Sequence, residues 1–138
     1  SPDADRLVRA DFSDPFADIP LHERSHILLV TRGHKYDYDC LIRALRADPP
    51  PAYIGMIGSR RRVRATFVQL VDEGFSMELI ERIHAPVGLD VGAETPEEIA
   101  VAVAAELVMV QRGGTGLPLK AVERIAERFF GQTSEEAK

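Results

Sequence analysis

Short apolar runs alternate along this chain with longer stretches of helical periodicity. His26-Ile27-Leu28-Leu29-Val30-Thr31 is almost continuously apolar, as expected of a strand covered on both faces. From about Tyr36 to Arg46, Leu41, Ile42 and Leu45 recur at helical spacing, and Pro49, Pro50 and Pro51 end that element. Ala52-Tyr53-Ile54-Gly55-Met56-Ile57 reads as a second buried strand. Gly58-Ser59 then turns the chain into a helix predicted to run to about Glu73 and to stop at Gly74, with a shorter helix over Met77–Arg82. The stretch from His84 to Glu94 has two glycines and little periodicity, and reads as a loop. Asp5–Ala10 is a weaker candidate for a first, edge-like strand, followed by irregular chain at the Asp14-Pro15 and Ile19-Pro20 steps.

The plainest helix start is Thr95-Pro96-Glu97-Glu98: a threonine cap, proline at the first helical position and a glutamate placed to close a capping box. The run from Ile99 to Arg112 is apolar almost all round, which predicts a buried helix ended by Gly113-Gly114. A last amphipathic helix is expected from about Lys120 to Phe130. Strand, helix, strand, helix in this order predicts an α/β fold, a Rossmann-like parallel sheet with flanking helices joined by right-handed crossovers. The expected domain spans residues 1–131, with a polar tail at 132–138. In such sheets ligands sit at the carboxyl ends of the strands. That rule picks out Thr31–His34, Gly58–Arg62 and the loop from His84 to Glu94.

Composition changes this picture little. The 138 residues fit one domain, and 45% apolar with 28% charged residues is ordinary globular usage. No window reaches the roughly 20 apolar residues of a membrane helix, and the acidic stretch Ser1–Asp5 does not read as a signal peptide. One cysteine, Cys40, cannot form an internal disulfide, so the cytoplasm is the expected compartment. A net charge of −5 argues against nucleic acid as a partner. Arginine outnumbers lysine 14 to 3, however, and Arg60, Arg61, Arg62 and Arg64 fall together. A local basic site on an acidic protein suits a small anionic ligand.

Gly58-Ser59-Arg60-Arg61-Arg62 leaves a buried strand and enters a helix, with Ser59 as its cap. Arginines in a first turn oppose the helix dipole, a mismatch of a few tenths of a kcal/mol each that a purely structural helix avoids. A bound anion reverses the sign, because backbone N–H groups and guanidinium forks share it. The bland alternative is a solvated charged face. Thr31-Arg32-Gly33-His34 closes the previous strand at the equivalent place and can line the same crevice, although His34 reads equally as a loop residue bonded to the backbone. Asp37 reads as a local cap or ion-pair partner. Gly55 and Gly58 form only a glycine pair, short of a dinucleotide fingerprint. Asp90 and Glu94 read as acids capping backbone groups of a shaped loop, and their spacing with His84 fits no familiar metal site. Cys40 reads as a small buried hydrophobe. No catalytic triad can be assembled, so a self-sufficient enzyme is not expected.

At these residues the chain resembles a known family. Tyr53-Ile54-Gly55-Met56-Ile57-Gly58-Ser59-Arg60-Arg61, the stretch from Arg82 to Ala100, and Thr31-Arg32-Gly33-His34-Lys35-Tyr36-Asp37 closely resemble the XdhC/CoxI family of molybdenum-hydroxylase accessory proteins, over about Ser1 to Gly113. The resemblance implies a Rossmann domain that binds the molybdenum cofactor, a phosphate-bearing pterin, and assists its sulfuration and insertion into xanthine dehydrogenase-type enzymes. It implies a hydroxylase apo-enzyme as partner and a cysteine desulfurase as a second one. Gly55, Gly58, Ser59, Arg60, Arg61 and Arg62, with Thr31, Gly33 and His34, are the candidate cofactor-binding residues. Family members carry a small domain and a first Rossmann strand with a glycine-rich turn ahead of this region. This chain reads as starting after both, so NAD(P) binding is not expected of it, and an unpaired sheet edge is expected to favour homo-oligomers. Two other readings stand beside the maturation factor: an NAD(P)-dependent oxidoreductase whose cofactor half lies elsewhere, and a protein-docking module that holds no ligand.

Overall fold

The computed structural model describes Phe16 and residues 19–30, 34–124 and 127–131. The expected strand at Asp5–Ala10, the residues Thr31, Arg32 and Gly33, and the polar tail lie outside the described residues. Among the described residues three strands form one parallel sheet in the order β1 (His26–Val30), β2 (Tyr53–Ile57), β3 (Ile83–His84). Register pairs Val30 with Ile57 and Gly55 with His84, which brings the ends of β1 and β2 level at one edge of the sheet. The third strand falls where the sequence predicts the end of a helix and the start of a loop. Two residues carry no periodicity, so β3 is defined only by its pairing with β2.

Between the strands run α1 (His34–Leu45), α2 (Arg60–Asp72) and the short α3 (Met77–Glu81); α4 (Pro96–Arg112) follows the loop after β3. One face of the sheet makes the core. Ile27, Ile54 and Ile83, one from each strand, pack with Tyr38, Leu41, Ala44 and Leu45 of α1, Leu70 of α2 and Ile80 of α3. Two contacts tie α1 and its C-terminal end to the chain just after α2. The Tyr38 hydroxyl donates to Glu73 Oε2 at 2.6 Å, and Arg46 lies 4.9 Å over the Phe75 ring.

The opposite face is covered unevenly. Tyr53 and Gly55 are buried there, whereas Leu28 (39% exposed) and Val30 (69%) are open. The expectation of a fully buried α4 is corrected on this face. Only Ala102, Val103 and Glu106 are buried, while Val101 and Val108 are exposed, because nothing among the described residues packs on the helix's outer side. The C-terminal helix is also shorter than its periodicity suggests. It ends as α5 (Leu119–Glu123) where Arg124 turns to φ 49°, and a π-helical turn over Glu127–Gly131 follows. No helix among the described residues is long and apolar enough to cross a membrane.

The cap of α4 is the one the sequence predicts. Thr95 Oγ1 accepts from the Glu98 N–H, and Glu98 Oε1 accepts from the Thr95 and Glu94 N–H groups. Those bonds, the Thr95 N–H foremost, hold the Glu98 carboxyl below its ordinary range. Its contribution to folding is therefore present at neutral pH and lost as pH falls through that lowered value. Thr95→Ala is expected to cost about 1 kcal/mol of stability in chemical denaturation.

Candidate functional site

The crevice expected at the carboxyl ends of the strands is present. A cleft of about 600 Å³ opens beyond β2, floored by Ile57 and Gly58, flanked by Arg60 of α2, and walled by the loop from Pro86 to Ala93 with Ile99 and Ala102 of α4. Its walls are mainly apolar (Pro86, Val87, Leu89, Val91), with Arg60 and Asp90 as charged groups at the margin. Ser59, Arg61 and Arg62 line an adjoining depression around the start of α2.

Ser59 caps α2 as expected, its Oγ accepting from the Arg62 N–H at 3.2 Å while its carbonyl accepts from Val63. That leaves the N–H groups of Arg60 and Arg61 without an intrahelical acceptor. The first turn holds no acidic residue, and among the described residues none of the guanidinium groups of Arg60, Arg61 and Arg62 has a carboxylate partner. Gly58 lies in an open approach to this turn: a methyl group there would meet only the Arg62 side chain, at 3.7 Å or more.

The other candidates are placed differently. Gly55 does not line the cleft. It lies inside the sheet, where an added Cβ would come within 2.6 Å of the Tyr53 ring and hydroxyl and 2.7 Å of Val87, so packing requires the glycine. Gly55→Ala is expected to cost about 1–3 kcal/mol by overpacking, read as a fall in the denaturation midpoint. His34 opens α1, next to the undescribed Thr31–Gly33. Asp37 stands in the first turn of α1, and its Oδ2 is buried without a hydrogen-bond partner among the described residues. Burial, with the charges of Asp37 and Asp39, pushes the Cys40 thiol up, which leaves it a poor nucleophile. Among the described residues no three His, Cys, Asp or Glu side chains converge on a metal position.

Sequence reasoning passes over the residue that holds the cleft loop in place. Glu106 of α4 is 6% exposed and accepts at Oε1 from the Tyr53 hydroxyl (2.7 Å) and the Gly88 N–H (3.2 Å), with His84 Nδ1 3.4 Å away. The Tyr53 and His84 rings stack at 4.7 Å. Burial first, and then the bond to Glu106 and its charge, raise the Tyr53 pKa and keep the phenol protonated. Gly88 sits at φ 102° with Ala102 close behind it, and the Leu89 N–H bonds to the Ala102 carbonyl. One face of α4 thus fixes both β2 and the loop that forms the cleft wall. A clue stands in the sequence: a lone acid inside an apolar helix must meet buried donors.

Comparison with known proteins agrees with this architecture. A family model described as the XdhC Rossmann domain matches residues 2–107. The chain is 34% identical over 116 residues to the uncharacterized protein YqeB of Escherichia coli (strain K12), covering 83% of this chain and 21% of that protein. It is 30% identical over 111 residues to a probable xanthine dehydrogenase subunit of Bacillus subtilis (strain 168), covering 80% of this chain and 31% of that one. A crystal structure of a xanthine dehydrogenase from Bacillus halodurans superposes with a TM-score of 0.62 at 28% identity, over 81% of this chain and 31% of that structure's. The chain therefore spans between a fifth and a third of the length of these relatives.

Proposed function

This chain belongs to the XdhC Rossmann-domain family, and from that premise we propose that it is the ligand-holding part of a cytoplasmic accessory factor that receives the molybdenum cofactor and passes it to a hydroxylase of the xanthine dehydrogenase type. The observation that carries the proposal is the meeting of a cleft with an apolar loop wall and an acid-free, arginine-bearing helix start at the carboxyl edge of a parallel sheet. The family and its relatives support the hydroxylase as the client.

The residues present suit such a cargo. The free N–H groups of Arg60 and Arg61, with the guanidinium groups of Arg60, Arg61 and Arg62, would take its phosphate. The Pro86–Val91 wall would lie against the flat pterin, as mainly apolar pockets do with ring systems. Gly58 would let the ligand approach the backbone closely. The cargo itself supplies the dithiolene that binds molybdenum. On this reading the chain binds, orients and shields, and carries no nucleophile or general base.

A titration of isolated molybdenum cofactor into this chain, with NAD(P) in parallel, tests the proposal. Saturable cofactor binding with no response to NAD(P) is expected. Binding of NAD(P) alone would replace the maturation factor with an oxidoreductase, and binding of neither would leave a protein-docking module.

A further inference from the structure

The cleft holds one charge of each sign, and no contact within the fold accounts for the acidic one. Among the residues that line it, Arg60 and Asp90 alone are charged. They form no ion pair with each other, and among the described residues the Asp90 carboxylate has no hydrogen-bond partner. The backbone cap expected of this acid is therefore not made. Its position is set all the same. The Gly88 N–H bonds to Glu106 and the Leu89 N–H to the Ala102 carbonyl, so α4 tethers the two residues before it. Gly88 at φ 102° and Gly92 at φ 73° turn the loop on either side. Asp90 thus stands as an exposed carboxylate on a tethered loop, beside the apolar side chains of the cleft wall.

An unpaired carboxylate repels a phosphate, so the part of a ligand that meets Asp90 has to be its N–H donors. A pterin has such an edge. Its ring amino group and the neighbouring ring N–H lie side by side, spaced to meet the two oxygens of one carboxylate, as a guanidinium fork does. Resting on the reading of this cleft as a site for the molybdenum cofactor, we propose that Asp90 accepts both bonds from this aminopyrimidinone edge. Arg60 and the free N–H groups of the α2 start then take the acceptor-only phosphate, and Asp90 takes the donor edge. A ligand entering the other way round sets its phosphate against Asp90 and its donors against Arg60, so one orientation is selected. Flavin and adenine rings lack the paired donors and are disfavoured. Guanine carries the same edge, so a pterin phosphate and a guanine nucleotide are two sources of one chemistry.

Calorimetric titration of this chain with isolated molybdenum cofactor, hydroxymethylpterin phosphate, its lumazine counterpart and GMP tests the assignment. In the lumazine, oxygen replaces the ring amino group. The pterin phosphate should bind about tenfold or more tightly than the lumazine, since a charge-assisted bond gives way to a repulsion. Asp90→Asn should erase that preference, because an amide pairs with an oxo group as readily as with an amino group. The cofactor itself should bind the variant about tenfold more weakly, a readout that stands even where the smaller ligands bind too weakly to compare. Inorganic phosphate should bind the variant as well as before or better, since a negative charge has gone. Its denaturation midpoint should not move, because Asp90 makes no contact that folding needs. Asp72→Asn, in the groove between α2 and α3 and not in the cleft, makes the same charge change and should leave all affinities unaltered. Tighter binding of the pterin phosphate than of GMP is expected; the reverse order would keep the role of Asp90 and make guanine the ring it reads. Equal affinity for pterin and lumazine, or cofactor affinity unchanged in Asp90→Asn, would overturn the assignment and leave the cofactor site standing. Failure of the wild-type chain to bind the cofactor at all would remove the site and the role of Asp90 together.

Discussion

Glu106→Ala is expected to lower the unfolding free energy by about 3–5 kcal/mol, among the largest effects of any single substitution in this chain. The carboxylate is buried and takes two donors on one oxygen, the Tyr53 hydroxyl and the Gly88 N–H. Removing it strands both donors away from water, at about 1–3 kcal/mol each, and opens a cavity beside His84 Nδ1. Glu106→Gln keeps an acceptor and should cost less, about 1–2 kcal/mol. Urea denaturation at neutral pH measures both, and Tyr53→Phe completes a cycle in which the tyrosine and glutamate effects should be strongly non-additive. Because the phenol's pKa is raised in the folded protein, the tyrosine's share is fully present below about pH 10 and is lost only as pH rises through the raised value. A loss under about 1 kcal/mol for Glu106→Ala would mean that water replaces the carboxylate and that the loop is held by other contacts.

What the sequence discloses and what it hides divide by range. The exit from β2 into α2 is legible because its determinants are adjacent: a buried strand, Gly58, the Ser59 cap and the arginines lie within a few residues of each other. The α4 start is legible for the same reason, a capping box being a four-residue device. Glu106 meets Tyr53 from 53 positions away, and no local pattern encodes that contact. Gly55 reads as a ligand glycine when taken with Gly58, yet its reason lies two residues back in the Tyr53 ring that covers it. The exposed side of α4 could not be foreseen from composition, because an all-round apolar helix states that it must be covered without stating by what. At the other end of the chain, Arg124 at φ 49° breaks a helix whose periodicity continues through it, a backbone choice that arginine rarely makes.

Replacing Arg60, Arg61 and Arg62 together with alanine is expected to weaken binding of the molybdenum cofactor by one or more powers of ten while leaving the fold intact. Each charge-assisted bond that the cargo's phosphate makes contributes about 1.5–3 kcal/mol, so even one true contact among the three produces a tenfold change. Stability should move the other way. Three cations leave a helix start whose dipole they oppose, and alanine is the better helix former, so the thermal midpoint should hold or rise. That opposition of signs separates a binding role from a structural one, since a residue needed for folding loses both together. Arg64→Ala is the internal control. It sits one turn further along α2 and faces the groove between α2 and α3 instead of the cleft, so cofactor affinity should be unchanged. Raising the salt concentration should weaken wild-type binding more steeply than that of the triple variant, because screening acts on the charges the variant lacks. If the triple variant stays folded and binds the cofactor as tightly as the wild type, the phosphate lies elsewhere, and the Gly88–Gly92 loop held by Glu106 becomes the next place to look.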